Sequence, residues 1–179
     1  MIKRDQRGFT LIELLVALAI VALIAGAAVM TMFQVINVTK SSNDRMTVIR
    51  QVQNAGYWIS HDTLMAQNVV TGNDPETPEE DEFITLSWTD RKDWEDDEDD
   101  EVHKIVYTFY DMADGLKKLK RTHLIDDVIS EQTLIAEYID SAASFFEPEQ
   151  DDIWKLTIRA HSGTQTETRE YEINPRVNI

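Results

Sequence analysis

The chain has 179 residues, with 17 Lys or Arg against 33 Asp or Glu, for a formal charge of −16. Such an acidic chain argues against binding to the backbone of DNA or RNA, which requires a basic surface. The chain has no cysteine, which excludes disulfides, thiol nucleophiles and cysteine-based metal sites. Its length is sufficient for one domain and a membrane anchor.

A long apolar run follows a short basic segment at the start of the chain. Three bases and one acid precede the run: Lys3, Arg4, Arg7 and Asp5. From Leu14 to Met30 no side chain is charged or strongly polar. A run of about 18 or more apolar residues can cross a bilayer as a helix. Since basic flanks stay in the cytoplasm, the chain beyond the run is predicted to lie outside.

Three interpretations fit this beginning. A cleavable secretory signal has an apolar region of about 7–15 residues that ends at a small-x-small site. The segment Ala25-Gly26-Ala27-Ala28 is similar to such a site, but hydrophobic residues continue beyond it. A plain single-span anchor is the second interpretation, and a prepilin is the third. Glu13 is the one charged residue near the start of the run, where inserting a carboxylate into the membrane costs free energy unless it has a partner.

The string Gly8-Phe9-Thr10-Leu11-Ile12-Glu13 lies behind the basic segment and before the apolar helix. It resembles the class III signal of type IV pilins and type II secretion pseudopilins. The resemblance implies that residues 1–8 are a leader, that a prepilin peptidase cuts between Gly8 and Phe9, and that the new amine of Phe9 is methylated. Cleavage would leave 14 bases and 32 acids, a charge of −18 before the new amine is counted.

The same resemblance implies a role for Glu13 in assembly. Its carboxylate would pair with the Phe9 amine of a neighbouring subunit, which offsets part of the cost of burying it. The alternative is a carboxylate that reaches back to the membrane interface. The implied partners are the prepilin peptidase, other pilin or pseudopilin subunits contacted through the N-terminal helix, and an inner-membrane assembly platform. The implied location is the inner membrane, single-pass with the head outside, and then a periplasmic or extracellular filament.

The helix is predicted to continue past the membrane. No proline occurs between Phe9 and Val70, so nothing forces a break. Apolar residues recur at spacings of three and four, on one helical face: Met46, Ile49, Val52, Ala55 with Gly56, and Ile59. We therefore predict a helix to about Asn68, with a membrane and assembly part at 9–33 and an amphipathic extension at 34–70. Turn residues follow from Thr71.

The remainder, 71–179, is predicted to form an antiparallel β head with acidic loops. Strand patterns occur at Phe83 to Trp88, Val102 to Tyr110, Leu116 to Leu124, Ile153 to Arg159 and Thr166 to Ile173, with a glycine turn at Gly115 and another at Gly163. Residues 130–146 are ambiguous between a short helix and a broken strand. The predicted fold class is α+β, with a long N-terminal helix packed against an antiparallel sheet.

Chemistry-bearing motifs are scarce beyond the membrane segment. His61, His103, His123 and His161 are scattered, and His61-Asp62 suggests a capping or solvent role at the helix end. No zinc-protease, serine-hydrolase or P-loop pattern occurs, so we expect neither catalysis nor a cofactor. The acidic runs around 79–82 and 95–101 favour solvated loops, with Ca²⁺ as a lesser possibility. Trp94 beside the second run is a candidate docking residue.

These observations predict a structural subunit of a filament. Four strings are similar to the heads of J-type minor pseudopilins and W-type minor pilins: 104–110, Asp114-Gly115-Leu116, Leu119-Lys120-Arg121 and Ile173-Asn174-Pro175-Arg176. A minor subunit that helps to form the tip of a type IV pilus or type II secretion pseudopilus is therefore our interpretation. A major pilin, or an uncleaved single-span sensor or binding protein, remains an alternative.

Overall fold

The computed structural model describes residues 10–72, 82–90, 100–149 and 153–175. It divides into two compact units, Met1–Ser42 and Asn43–Ile179. The first contains the beginning of a long helix, α1, Leu11–Met65. The second contains the rest of α1 and an eight-stranded antiparallel sheet. The predicted α+β class, with a long helix packed on an antiparallel sheet, is confirmed.

In the second unit, one face of α1 enters the core. The buried stripe is Val48, Val52, Ala55 with Gly56, Ile59, and Asp62 with Thr63. Its spacing of three and four residues is that of one helical face. The predicted stripe was right from Val52 to Ile59 but wrong at its start, because Met46 is half exposed and Val48 is buried instead.

α1 ends earlier than predicted. The helix stops at Met65, and Asn68–Thr71 form strand β1. Val69 and Val70 pair with Leu86 and Thr85 of the next strand. β-Branched side chains suit a sheet better than a helix end, which explains why the two valines leave the helix.

The strands occupy most of the chain after the helix. Beyond β1 they are β2 Glu82–Asp90, β3 Glu101–Asp111, β4 Lys117–Ile125, β5 Val128–Ile139, β6 Phe145–Pro148, β7 Trp154–Ser162 and β8 Gln165–Ile173. Their order in the sheet is β1-β2-β3-β4-β5-β7-β6, and β8 pairs with the other edge of β7. All pairs are antiparallel. All five predicted strand patterns are therefore confirmed.

The ambiguous stretch 130–146 contains two strands and a short turn. β5 runs to Ile139, a single 3₁₀ turn occupies Ser141–Ala143, and β6 follows. The hairpin that starts β5 turns at Asp126 and Asp127, whose φ angles are 50° and 60°. Two successive positive φ angles define the tight turn that suits a twisted hairpin, and aspartate tolerates this conformation better than most residues.

The core forms where α1 covers one face of the sheet. Buried side chains from alternate positions of the strands meet the stripe of α1 there, among them Ile84, Leu86, Ile105, Leu119 and Ile158. Alternation puts Tyr107 and Arg121 on the same face as Ile105 and Leu119. The sheet therefore presents two polar side chains to the helix inside an apolar core.

Candidate processing site and assembly helix

The predicted processing residues, Gly8 and Phe9, lie outside the described residues, so cleavage and methylation there stay predictions. The described chain begins at Thr10 and enters α1 at Leu11. Of the three predicted site residues, the structure therefore shows the surroundings of Glu13.

Thr10 and Glu13 form reciprocal hydrogen bonds across the first turn of α1. The backbone N–H of Thr10 donates to Oε2 of Glu13 at 2.9 Å, and the Thr10 hydroxyl donates to the same oxygen at 2.8 Å. In return, the N–H of Glu13 donates to the Thr10 hydroxyl at 3.4 Å. This is a capping box, in which Thr10 is the N-cap and Glu13 the third helical residue. Sequence reasoning missed it, although a Thr three residues before a Glu ahead of an apolar run is its signature.

The capping box gives Glu13 a local function in the subunit itself. The first N–H groups of a helix have no partner within the helix, and a carboxylate in the first turn complements the helix dipole. Both hydrogen bonds to the carboxylate use Oε2. The local role therefore occupies one carboxylate oxygen.

The first part of α1 is an exposed apolar cylinder. Every residue from 10 to 40 is exposed, and between Leu14 and Phe33 the one polar side chain is that of Thr31. Leu11, Leu23 and Met30 are 83%, 75% and 76% exposed. Contiguous apolar surface of this extent is not stable in water and indicates a lipid or protein environment. Among the described residues, α1 is the helix that is long and apolar enough to cross a membrane. A signal sequence passes the same test of length and composition.

The one hydroxyl in the middle of this segment is satisfied within the helix. Thr31 donates to the carbonyl of Ala27 at 2.9 Å. In an apolar medium a polar group must find its partner inside the protein. Thr31 is therefore compatible with the apolar character of the surrounding segment.

In the second unit, a buried polar network ties α1 to the sheet. The carboxylate of Asp62 accepts hydrogen bonds from Nε of Arg121 at 2.7 Å and from its Nη2 at 3.3 Å. It also accepts one from the hydroxyl of Tyr107. The guanidinium of Arg121 lies over the ring of Trp58, 5.1 Å from its centre. The side chains of Asp62 and Arg121 are 3% and 9% exposed, so the pair is shielded from water.

Asp62 therefore contradicts the capping or solvent role expected for His61-Asp62. His61 is exposed and stacks on Tyr57, while Asp62 continues the buried stripe of the helix three residues after Ile59. Burial and then the charge of Asp62 raise the pKa of Tyr107 above its ordinary value. Tyr107 therefore stays neutral and donates its hydroxyl hydrogen to Asp62.

Two of the four histidines, which sequence reasoning regarded as scattered, meet on the sheet. Nδ1 of His103 lies 3.1 Å from Nε2 of His123, because the register of β3 and β4 makes them diagonal neighbours on one face. The ring of Trp88 stacks on His103 at 5.1 Å between centres. One facing nitrogen donates and the other accepts, so this contact holds a single proton. Burial, then Arg121 and His103, lower the pKa of His123.

The predicted acidic-loop features lie largely beyond the described residues. Trp94 and residues 95–99 are among those that the structure does not describe, so a docking role for Trp94 stays a prediction. Within the described ranges, no group of three or more His, Asp or Glu is placed to hold a metal ion. The possibility of Ca²⁺ therefore also stays a prediction.

Comparison with known proteins bears on the beginning of the chain. No curated protein and no solved structure matches the chain. The family model described as "Prokaryotic N-terminal methylation motif" matches residues 3–29. The matched segment contains the three bases near the start of the chain, Gly8, Phe9, the Thr10–Glu13 capping box and most of the exposed apolar cylinder. The match supports a type IV pilin-like prepilin.

Proposed function

We propose that this chain is a minor pilin or pseudopilin, a structural subunit that joins a type IV pilus or type II secretion pseudopilus, at its tip. The observation that carries the proposal is the Gly8 to Glu13 motif at the start of an exposed apolar helix, within a segment that matches the methylation motif. An exposed apolar helix of this kind needs a bilayer before assembly and neighbouring helices after it. A filament core supplies the second environment.

In this proposal, Glu13 acts both within the subunit and between subunits. Its Oε2 caps the helix through Thr10, whose N–H remains in place after a cut between Gly8 and Phe9. That leaves Oε1 for the ammonium or methylammonium of Phe9 on a neighbouring subunit. Pairing of opposite charges in an apolar filament core offsets part of their desolvation cost. The capping box also fixes the direction in which the carboxylate points.

Charge favours a minor over a major subunit. The mature chain would carry −18 before its new amine is counted. Like charges at this density repel one another when one subunit repeats along a filament. A tip subunit has few copies of itself as neighbours and avoids most of that repulsion. The resemblance of the head strings to J-type minor pseudopilins and W-type minor pilins points in the same direction.

The experiment that tests processing is the intact mass and N-terminal sequence of the protein from membranes that contain its own prepilin peptidase. We expect a chain that begins at Phe9 with one added methyl group. A chain that begins at Met1 would show an uncleaved anchor, and a cut near Ala27 would show a secreted head. Either result would overturn the proposal. The matched control is Gly8→Val, which should leave the leader attached.

The minor role has its own test. Sheared filaments are collected, and the ratio of this chain to the most abundant subunit is measured by quantitative mass spectrometry. We expect a small ratio, of tip-like stoichiometry. A ratio near one would make the chain a major pilin and would overturn the minor role while leaving the processing proposal intact.

A further inference from the structure

The sheet of the head has one long, regular edge that no described strand covers. β8 pairs with β7 through nine successive residue pairs, from Ser162 opposite Gln165 to Trp154 opposite Ile173, without a register shift. No described strand pairs with the other edge of β8. An open, regular strand edge presents a row of backbone donors and acceptors that can pair with another chain.

The turn that starts β8 shows which of these backbone groups point outward. Gly163 has a φ of 59° in a two-residue turn, the type in which the flanking residues, Ser162 and Gln165, exchange hydrogen bonds. In antiparallel pairs, hydrogen-bonded and non-bonded positions then alternate. The outward N–H and C=O groups are consequently those of Thr166, Thr168, Glu170 and Glu172.

The other sheet edges are protected in ways that β8 is not. β1 and β6 have four residues each, and β6 ends in Pro148. β5 meets β7 through a single described residue pair, and three register shifts in its pairing with β4 make the strand irregular. Two side chains of α1 also form hydrogen bonds with the backbone of β5. Asn54 donates to the carbonyl of Ile135, and Gln51 accepts from the N–H of Glu137. Short strands, prolines, bulges and covering elements are the usual means of blunting an edge.

Charge indicates what kind of strand fits this edge. Glu170 and Glu172 lie two residues apart on β8, so their side chains share the exposed face of the sheet. Nζ of Lys155, on the neighbouring strand β7, lies 2.9 Å from Oε2 of Glu170. The whole chain carries −16, which opposes the approach of a second copy. An added strand with bases at alternate positions would place them beside both carboxylates.

We propose that the outer edge of β8 is a strand-addition site for an extended segment of another protein that carries Lys or Arg at every second position. Backbone hydrogen bonds to Thr166, Thr168, Glu170 and Glu172 hold the segment, and the carboxylates of Glu170 and Glu172 select its charge. Strand addition obtains affinity from main-chain bonds and specificity from alternate side chains. This inference does not depend on cleavage after Gly8.

The test uses the full chain, purified in detergent, and a labelled, end-blocked nine-residue peptide in which lysine alternates with valine. Binding is measured by fluorescence anisotropy, and the pairing by backbone amide exchange. We expect exchange to slow at Thr166, Thr168, Glu170 and Glu172 and to be unchanged at the residues between them, which already bond β7. An alternating glutamate and valine peptide should bind at least about tenfold more weakly.

Three controls separate strand addition from simple charge attraction. A lysine peptide methylated on every backbone nitrogen keeps its charge but cannot donate to the edge, and it should not bind. Thr168→Pro removes an outward N–H without removing a bond to β7 and should abolish binding, whereas Thr168→Val should bind like the parent. Glu172→Lys should weaken binding of the lysine peptide about fivefold.

Two results would overturn the proposal. Equal binding of the methylated and unmethylated lysine peptides would show that charge alone attracts them. Dimerisation of the chain by light scattering, with the same four amides already protected before peptide is added, would identify a second copy as the occupant. If Thr168→Pro loses its β-sheet circular dichroism, the comparison rests on Glu172→Lys and the methylated peptide, which do not alter the ladder to β7.

Discussion

The buried pair between Asp62 and Arg121 makes a prediction whose size follows from its surroundings. Asp62→Ala leaves the guanidinium of Arg121 buried without its main partner and the hydroxyl of Tyr107 without its acceptor. Breaking one side of a buried ion pair costs about 3–5 kcal/mol. Glu131 lies 3.7 Å from Nη1 of Arg121 but is 60% exposed on its side chain, so it replaces little of the lost interaction. We therefore expect a loss within that range.

The assay is equilibrium urea unfolding of the full chain in detergent, followed by β-sheet circular dichroism, with an exposed ion pair as control. Lys155 and Glu170 are 2.9 Å apart, and the side chain of Glu170 is 59% exposed. Glu170→Ala should therefore cost less than about 1 kcal/mol. If Asp62→Ala costs no more than this control, the argument that the network is buried and coupled is refuted.

A triple variant tests the same reasoning from the opposite direction. Replacing all three polar groups, as Asp62→Leu, Arg121→Met and Tyr107→Phe, leaves no buried group unpaired. Apolar replacement of a buried ion pair is often neutral, or stabilising by about 1–4 kcal/mol. The triple variant should therefore be more stable than Asp62→Ala alone. If the losses from the three substitutions simply added, the triple variant would be the less stable of the two.

Three further predictions address other parts of the chain. In Gly56→Ala the new Cβ would overlap the ring of Tyr171, so we expect urea unfolding to show about 1–3 kcal/mol of destabilisation. Gly26→Ala is the control: its Cβ would meet nothing within 4 Å, and we expect no destabilisation. Burial, then the nearby guanidinium and imidazole, hold the pKa of His123 below its ordinary value, so its contribution is present above about pH 6.5 and is lost as the pH falls. His123→Gln should therefore flatten the fall in urea stability between about pH 7.5 and 5.5; an unchanged slope would contradict this. Glu13→Gln should leave membrane insertion intact and prevent recovery in sheared filaments, while normal recovery would argue against a charge pair.

Local patterns were sufficient to predict most of the fold. Alternation of apolar and polar residues identified β2, β3 and β7. The glycine turns at Gly115 and Gly163 located the β3–β4 and β7–β8 hairpins. Val52, Ala55 and Ile59 lie on the buried face of α1 as their spacing predicts. These features depend on residues close together in sequence, which is why a single sequence contains them.

The features that were missed depend on unusual residues or on distant contacts. The start of β5 was hidden because its turn uses Asp126 and Asp127 where glycine or asparagine is the usual signal. Asp62 looked like a helix-end residue, although its place three residues after Ile59 put a carboxylate in the apolar stripe. That spacing predicts a buried partner but cannot identify Arg121, which lies 59 residues away.

The contact between Tyr171 and the helix has a consequence for the order in which the head can fold. The hydroxyl of Tyr171 donates to the carbonyl of Val52 at 3.2 Å across 119 residues of chain, and its ring covers Gly56. Ribosomes make α1 long before β8, so this face of the helix stays uncovered during most of synthesis. Contacts between such distant residues form slowly. The face of α1 around Gly56 is therefore covered only when the last strand docks.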